Sequence, residues 1–96
     1  LCITGEGHAD GQSAHGKVVS GVAARCKSAG VPCVAIVGGM DQGALDLMDL
    51  GVDALVPTVI DCGDVSEALA HAERNYRLAA ARVFSLLAIG EGLPRL

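Results

Sequence analysis

The sequence predicts an α/β fold with a doubly wound parallel sheet, in the order β-α-β-α-β-α. Apolar runs alternate with segments whose apolar residues recur at helical spacing, which is typical of a parallel sheet covered by helices. Residues 33–37 are apolar at every position, as expected for a strand buried on both faces. The 96 residues have room for one core, so we treat 1–96 as a single partial α/β domain.

The first half of the chain is predicted to form a strand, a loop, a helix and a second strand. Residues 1–3 form the first strand, and residues 4–17 form the loop that follows it. A helix begins near Val18, and Gly30 supplies the residue that ends it. The apolar run 33–37 then forms the second strand, which ends before two consecutive glycines.

The second half is predicted to form a short helix, a third strand and a long final helix. Asp41 caps the short helix, Gly51 ends it, and residues 54–56 form the strand. Asp64 begins the final helix, and no Gly or Pro interrupts residues 65–89, which predicts a helix roughly 35 to 40 Å long. Its apolar residues fall on one stripe: Ala68, Leu69, Ala72, Tyr76, Ala79, Val83, Leu86 and Leu87.

Composition excludes several classes of function. A formal charge of −4 and a pI near 5.1 argue against nucleic acid as a partner, because binding phosphates needs a basic surface. No apolar run approaches the roughly 18 to 20 residues that a membrane span requires. The four cysteines include no CxxC pair, which disfavours a metal site or a disulfide framework and indicates a cytoplasmic location.

The predicted loop 4–17 carries most of the chain's reactive groups. It holds four glycines, two carboxylates, two histidines and a lysine between an apolar strand and a helix. A glycine-rich strand-to-helix connection can direct backbone N–H groups at an anion, phosphate above all. The loop also lies at the carboxyl edge of the sheet, where doubly wound proteins bind ligands, together with residues 38–41 and 57–64. The alternative is a glycine-rich turn whose polar side chains are solvated.

Individual side chains of this loop have chemistry that suits an anionic substrate. Glu6 and Asp10 could hold a cation or accept a proton from a substrate hydroxyl. Lys17, at the start of the helix, could neutralise a phosphate, and Gln12 and Ser13 could orient hydroxyl or carboxylate oxygens. Each residue has an alternative interpretation, as a solvated surface group or, for Ser13, as a helix cap.

Two generic nucleotide-binding motifs match only in part. The spacing from Gly11 to Gly16 and Lys17 resembles the front of a P-loop, but Val18 stands where that motif needs a hydroxyl for magnesium. The predicted strand also ends near Thr4, far from Gly11. A dinucleotide fingerprint beginning at Gly5 fails at its third glycine, so both motifs are disfavoured.

A more specific resemblance rests on the order Thr4-Gly5-Glu6-Gly7, Asp10, Gln12-Ser13 and Gly16-Lys17. This order resembles the C-terminal part of the bacterial glycerate kinases that make 2-phosphoglycerate. The likeness covers nearly all 96 residues, but only roughly the last quarter of a family member. The family usually has Arg where this chain has His8, which exchanges a permanent cation for one that titrates near neutrality. An anion contact at this position therefore does not carry over.

The resemblance implies a two-domain α/β kinase that transfers phosphate from ATP, with Mg²⁺, to a hydroxyl of glycerate. This segment would line one wall of the cleft between the domains. The implied catalytic residues are Asp10, as acid/base or magnesium-linked carboxylate, and Lys17, as a charge clamp. The implied substrate- and phosphate-binding residues are Gly5, Glu6, Gly7, Gln12 and Ser13, and no residue is assigned as a resident metal ligand.

The competing interpretation is a non-catalytic α/β module that binds a small anion. A third is that the parent protein is a kinase while the isolated segment is inactive. Three short strands cannot cover the apolar stripe of the final helix, so we expect further strands from the parent chain to complete the sheet. Alone, the segment should aggregate, dimerise or fold only with the rest of its parent, and a homo-oligomer is compatible with this pattern.

Overall fold

A computed structural model of the chain describes residues 1–9, 18–59 and 64–93. The elements in chain order are β1 (Cys2–Ala9), α1 (Val18–Ala29), β2 (Cys33–Met40), a 3₁₀ turn (Gln42–Leu45), α2 (Asp46–Leu50), β3 (Ala54–Pro57), α3 (Val65–Ala70) and α4 (Ala72–Glu91). Within these residues, no helix combines the length and apolar character that a membrane span requires.

The three strands form a parallel sheet in the order β1-β2-β3. Cys2 pairs with Cys33 at the start of the β1–β2 ladder, and Val34 pairs with Ala54 at the start of the β2–β3 ladder. The central strand β2 is therefore hydrogen-bonded to a strand on each side, and its residues 33–37 are all buried. This arrangement confirms the predicted parallel α/β fold.

The two faces of the sheet carry separate cores. On one face, which we call the α1 side, side chains of β2 pack against α1, the 3₁₀ turn and α2; the buried cluster is Ala9, Val19, Ala23, Cys26, Cys33, Ala35, Val37, Ala44, Leu47 and Val52. On the other face, the α4 side, Val34 and Ile36 pack against Ala79 and Val83 of α4. Alternate residues of β2 thus point to opposite helix layers, as the continuous apolar run predicted.

The predicted ends of α1 and α2 are confirmed. Gly30 follows α1 with a φ of 68°, a left-handed conformation that favours glycine. Gly51 follows α2 with a φ of 126°, and a Cβ there would overlap the carbonyl oxygen of Ala23. Asp41 caps the 3₁₀ turn, because its Oδ1 accepts a hydrogen bond from the Gly43 N–H at 2.8 Å.

The prediction of one long final helix was wrong, because α3 and α4 are separated at His71. His71 has φ −113° and ψ 22°, outside helical values, although no Gly or Pro lies there. The two helices pack in different places: α3 lines a groove at the carboxyl edge of the sheet, whereas α4 packs on β2 and β3. The cap at Asp64 is confirmed, since its Oδ1 accepts from the Glu67 N–H at 2.9 Å. Hydrogen bonds from Glu67 and then Ser66 lower the pKa of Asp64.

Candidate functional site

The candidate site lies where the carboxyl ends of the three parallel strands meet. The strands end at Ala9, Met40 and Pro57, and because they are parallel these ends share one edge of the sheet. This is the edge at which doubly wound α/β proteins bind ligands. The residues that follow β2 and β3, Asp41 and Thr58, begin the loops above this edge.

Two glycines bring β1 and β2 unusually close together near this edge. A Cβ on Gly38 would overlap the carbonyl oxygen of Gly7, so a larger residue does not fit there unless the backbone moves. The register pairs Glu6 with Val37 before this contact and His8 with Gly39 after it. The contact therefore lies two residues before the carboxyl ends of both strands.

The side chains of β1 change faces beyond the glycine contact. Cys2 and Ala9 are seven positions apart, so strict alternation would place them on opposite faces of the sheet. Both instead pack against the cluster on the α1 side. His8 accordingly lines a groove on the α4 side, beside Gly39, whose added Cβ would lie 3.3 Å from the His8 Nδ1. The glycine contact thus directs a histidine towards the groove.

This groove, which we call the edge groove, has a volume of about 550 Å³. The strands contribute His8 and the backbone of their glycines, and Thr58 contributes from the loop after β3. The helices contribute apolar side chains, namely Val65, Ala68, Leu69 and Ala72. A second hollow of about 380 Å³ adjoins it and is lined by Gly5, Glu6 and Tyr76 among others. The two share Gly7 and Gly38 and form one depression of the size that small-molecule sites have.

Thr58 fixes the floor of the edge groove. It is 8% exposed, its N–H donates to the Val37 carbonyl at 2.8 Å, and its hydroxyl lies 3.4 Å from the Gly38 carbonyl that it donates to. Sequence reasoning missed this residue. The available signal was a threonine directly after a short strand and Pro57, at an edge where polar side chains gather.

His8, which lines the edge groove, lies beside Asp41, the residue that follows β2. His8 Nε2 lies 4.0 Å from Asp41 Oδ2, and the two side chains are 59% and 57% exposed. The Asp41 carboxylate is held in position by its hydrogen bond from the Gly43 N–H. An exposed pair of this kind stabilises the fold by at most about 1 kcal/mol. Its main effect is to position the imidazole of His8 beside the groove.

Of the predicted site residues, the structure brings Gly5, Glu6 and Gly7 together at this edge. The prediction that they belong to a loop from Thr4 onwards was wrong, as was the prediction that residues 38–40 leave the second strand. These glycines instead sit in paired strands, where the absence of side chains permits close backbone approach; a Cβ on Gly5 would lie 3.2 Å from the Ile36 carbonyl oxygen. Glu6 is half-buried, and its Oε2 is shielded from solvent.

The other predicted site residues, Asp10, Gln12, Ser13 and Lys17, lie outside the described residues. Their convergence on the edge groove therefore stays a prediction. The end of β1 at Ala9 removes one objection to a P-loop, since the strand ends close to Gly11, but Val18 still lacks the required hydroxyl.

Carboxylates at this edge bear on how a metal ion could be held. In the ranges 1–9, 18–59 and 64–93, no group of three His, Cys, Asp or Glu side chains is arranged to hold one. Mg²⁺ in phosphoryl-transfer sites is ordinarily held by one or two carboxylates together with substrate phosphates. Glu6 and Asp41 supply carboxylates of that kind at this edge.

Comparisons with known proteins give one consistent family. The sequence profile described as "Glycerate kinase family" matches residues 1–88. The chain is 38% identical over 88 residues to a glycerate kinase of Haemophilus influenzae, covering 92% of this chain and 23% of that protein. It is 37% identical to the glycerate 2-kinase of Escherichia coli (94% and 24%) and 38% identical to a glycerate kinase of Bacillus subtilis (86% and 23%). The chain spans about a quarter of the length of these relatives.

Proposed function

Since the chain belongs to the glycerate kinase family, we propose that its parent protein transfers a phosphoryl group from ATP to a hydroxyl of glycerate. The family match over residues 1–88 is the observation that carries this proposal. The product is 2-phosphoglycerate, an assignment supported by the name of the Escherichia coli relative, a glycerate 2-kinase. The enzyme works in the cytoplasm, in keeping with the free thiols of Cys2, Cys26 and Cys33.

In this proposal the segment forms one wall of the active-site cleft. Glycerate carries a carboxylate and the transferred group carries negative charge, so the wall must offer N–H groups, hydroxyls and cations. The backbone at Gly5 and Gly7, with Glu6 between them, lines the depression at the carboxyl edge. Gln12 and Ser13 orient substrate oxygens from the segment that follows.

Asp10 and Lys17 have the roles closest to the transferred group. Asp10 accepts the proton of the attacking hydroxyl or holds the magnesium ion that accompanies ATP. Lys17 neutralises charge that develops on the phosphoryl oxygens. Both residues directly flank described elements, because β1 ends at Ala9 and α1 begins at Val18. The place of Asp10 in the sequence supports its assignment, because β1 ends at the edge at which the depression lies.

The partners in this proposal are glycerate, Mg²⁺-ATP and the remainder of the parent chain. The isolated 96 residues are inactive, because a cleft needs a second wall and the segment amounts to 23% of the Haemophilus influenzae relative. Tyr76 and Leu69, which are 49% and 71% exposed, belong to surfaces that the rest of the parent chain or another subunit covers.

The purified parent protein, incubated with ATP, Mg²⁺ and D-glycerate, tests the proposal. Phosphorus NMR should show a phosphate ester on the 2-hydroxyl of glycerate and release of ADP. Replacement Lys17→Met should lower kcat by on the order of a hundredfold, because a neutral side chain cannot offset transition-state charge.

The matched control is Lys27→Met, since Lys27 lies at the opposite end of α1 and its Nζ donates to the Asp49 carbonyl at 3.0 Å. This variant should keep the wild-type kcat. Anion binding to the parent protein without any phosphorylated product would contradict the kinase and favour a non-catalytic binding module.

A further inference from the structure

The described sheet has two outer strands, and their free sides differ in character. In the order β1-β2-β3, each outer strand pairs with β2 on one side only. The free side of a strand presents backbone N–H and C=O groups that another strand can bond. Residue for residue, β1 has twice the length of β3, since they span Cys2–Ala9 and Ala54–Pro57.

The free side of β3 has the features of a permanent edge. The strand has four residues, of which only Ala54 and Val56 direct their N–H groups to the free side. The Pro57 carbonyl accepts a hydrogen bond from Arg82 Nη2 at 3.1 Å, so a side chain of α4 already occupies it. Thr58 then turns back to β2 through its N–H. A short strand and a carbonyl already bonded by a side chain are both devices that prevent further pairing.

The free side of β1 has none of these devices within the described residues. Cys2 donates its N–H to the Pro32 carbonyl at 2.8 Å, which directs its backbone towards β2. Because alternate residues of a parallel strand bond to alternate sides, the N–H groups of Ile3 and Gly5 point to the free side. Residues 2–8 are half-buried or exposed, so these outward N–H groups are accessible to a further strand.

The order of the strands independently indicates that a further strand would lie beside β1 and not beside β3. The doubly wound orders 3-2-1-4-5-6 and 2-1-3-4-5 both end in three neighbouring strands in chain order. In both, the last strand is the outer edge, and the first of the three adjoins a strand from the other half of the sheet. The order β1-β2-β3 matches this trio, with β3 as the edge and β1 as the strand at the junction.

We propose that the free side of β1 pairs in parallel with a strand from the part of the parent chain outside residues 1–96, while β3 remains the outer edge. The relatives supply the length of chain for this partner, because the matched region is 23% of the Haemophilus influenzae protein. In such sheets the junction is also the point where the direction of winding reverses and where ligands bind.

The position of β1 has a consequence for the active site. With a strand added beyond β1, Gly7 and His8 stand near the middle of the carboxyl edge and not at its margin. The cleft then opens above the junction, and the edge groove is the half of it that this segment contributes. This placement of the cleft rests on the proposed kinase function, whereas the strand pairing does not.

Hydrogen exchange in the full-length parent protein, without substrates and resolved by NMR, tests the pairing. The outward amides of β1 are those of Ile3 and Gly5. Asp53 donates its N–H to the Cys33 carbonyl at 2.8 Å, so alternation makes Ala54 and Val56 the outward amides of β3. We expect the β1 amides to exchange at least about tenfold more slowly than the β3 amides.

Two amides that face β2, those of Thr4 and Leu55, provide the internal reference and should be slow. Fast exchange at both Ile3 and Gly5, or slow exchange at Ala54 and Val56, would overturn the proposal. The measurement involves no catalysis, so an inactive protein with slow β1 amides would reject the kinase and keep the pairing.

Discussion

The close contact between Gly7 and Gly38 makes a strong prediction for the variant Gly38→Ala. The added methyl group would overlap the Gly7 carbonyl oxygen, and backbone atoms on both sides cannot rotate away as a side-chain tip would. The strands must therefore separate at the carboxyl edge. Overpacking of this kind costs about 1–3 kcal/mol. Displacement of Gly7 and His8 should also reduce kcat/KM by about tenfold or more, because small misplacements of binding groups are costly.

The matched control is Gly21→Ala, which adds the same methyl group to an exposed position of α1 with no atom within 4 Å of it. Alanine is about 0.5–1 kcal/mol better than glycine inside a helix, so this variant should melt at or above the wild-type temperature. Both variants are made in the full-length parent and compared by calorimetry and steady-state kinetics. A Gly38→Ala protein with wild-type Tm and kcat/KM would refute the strand approach described above.

Three further variants probe structure away from the transferred group. Gly51→Ala should lower the Tm by several degrees and leave kcat unchanged, since its φ of 126° strains any side chain and its Cβ would meet the Ala23 carbonyl. Burial raises the pKa of the Cys33 thiol from 9.0 to about 11. The protonated thiol therefore stabilises the fold fully below about pH 9, and this stabilisation is lost as the pH rises towards about 11. The Tm of Cys33→Ala should fall less steeply with alkaline pH than the Tm of the wild type. The pKa of Asp64 is lowered from 3.8, so its ionised carboxylate stabilises α3 fully above about pH 4, and this stabilisation is lost as the pH falls further. Asp64→Asn should still cap α3, and its Tm should not show this dependence on acid pH.

Local signals in the sequence were sufficient for much of the fold. The unbroken apolar run in β2 predicted a strand covered by helices on both faces, and the structure confirms it. Gly30 and Asp41 marked helix boundaries because their roles depend on a backbone conformation or a hydrogen bond within a few residues. Since parallel strands share one carboxyl edge, the sequence also indicated where a site should lie.

Features that depend on contacts between distant residues could not be predicted in this way. Gly5 and Gly7 resemble loop residues in the sequence, and only their contacts with β2 show why a strand needs glycine there. The break at His71 has no Gly or Pro to mark it and accompanies the packing of α3 over the edge groove. Thr58 was missed for the same reason, because its role depends on carbonyl groups of β2 that are 20 or more residues away in the chain.

The central claim is that the segment following β1 carries the chemistry of a glycerate kinase, and Asp10 tests it most directly. The measurement is kcat for ATP-dependent phosphorylation of D-glycerate by the full-length parent, with Asp10→Asn compared with Asp49→Asn. Asp49 is an exposed residue of α2, so its variant should match the wild type. Asp10→Asn should lower kcat by on the order of a hundredfold or more, the scale expected for loss of a general base. Near-normal turnover by Asp10→Asn would contradict the account.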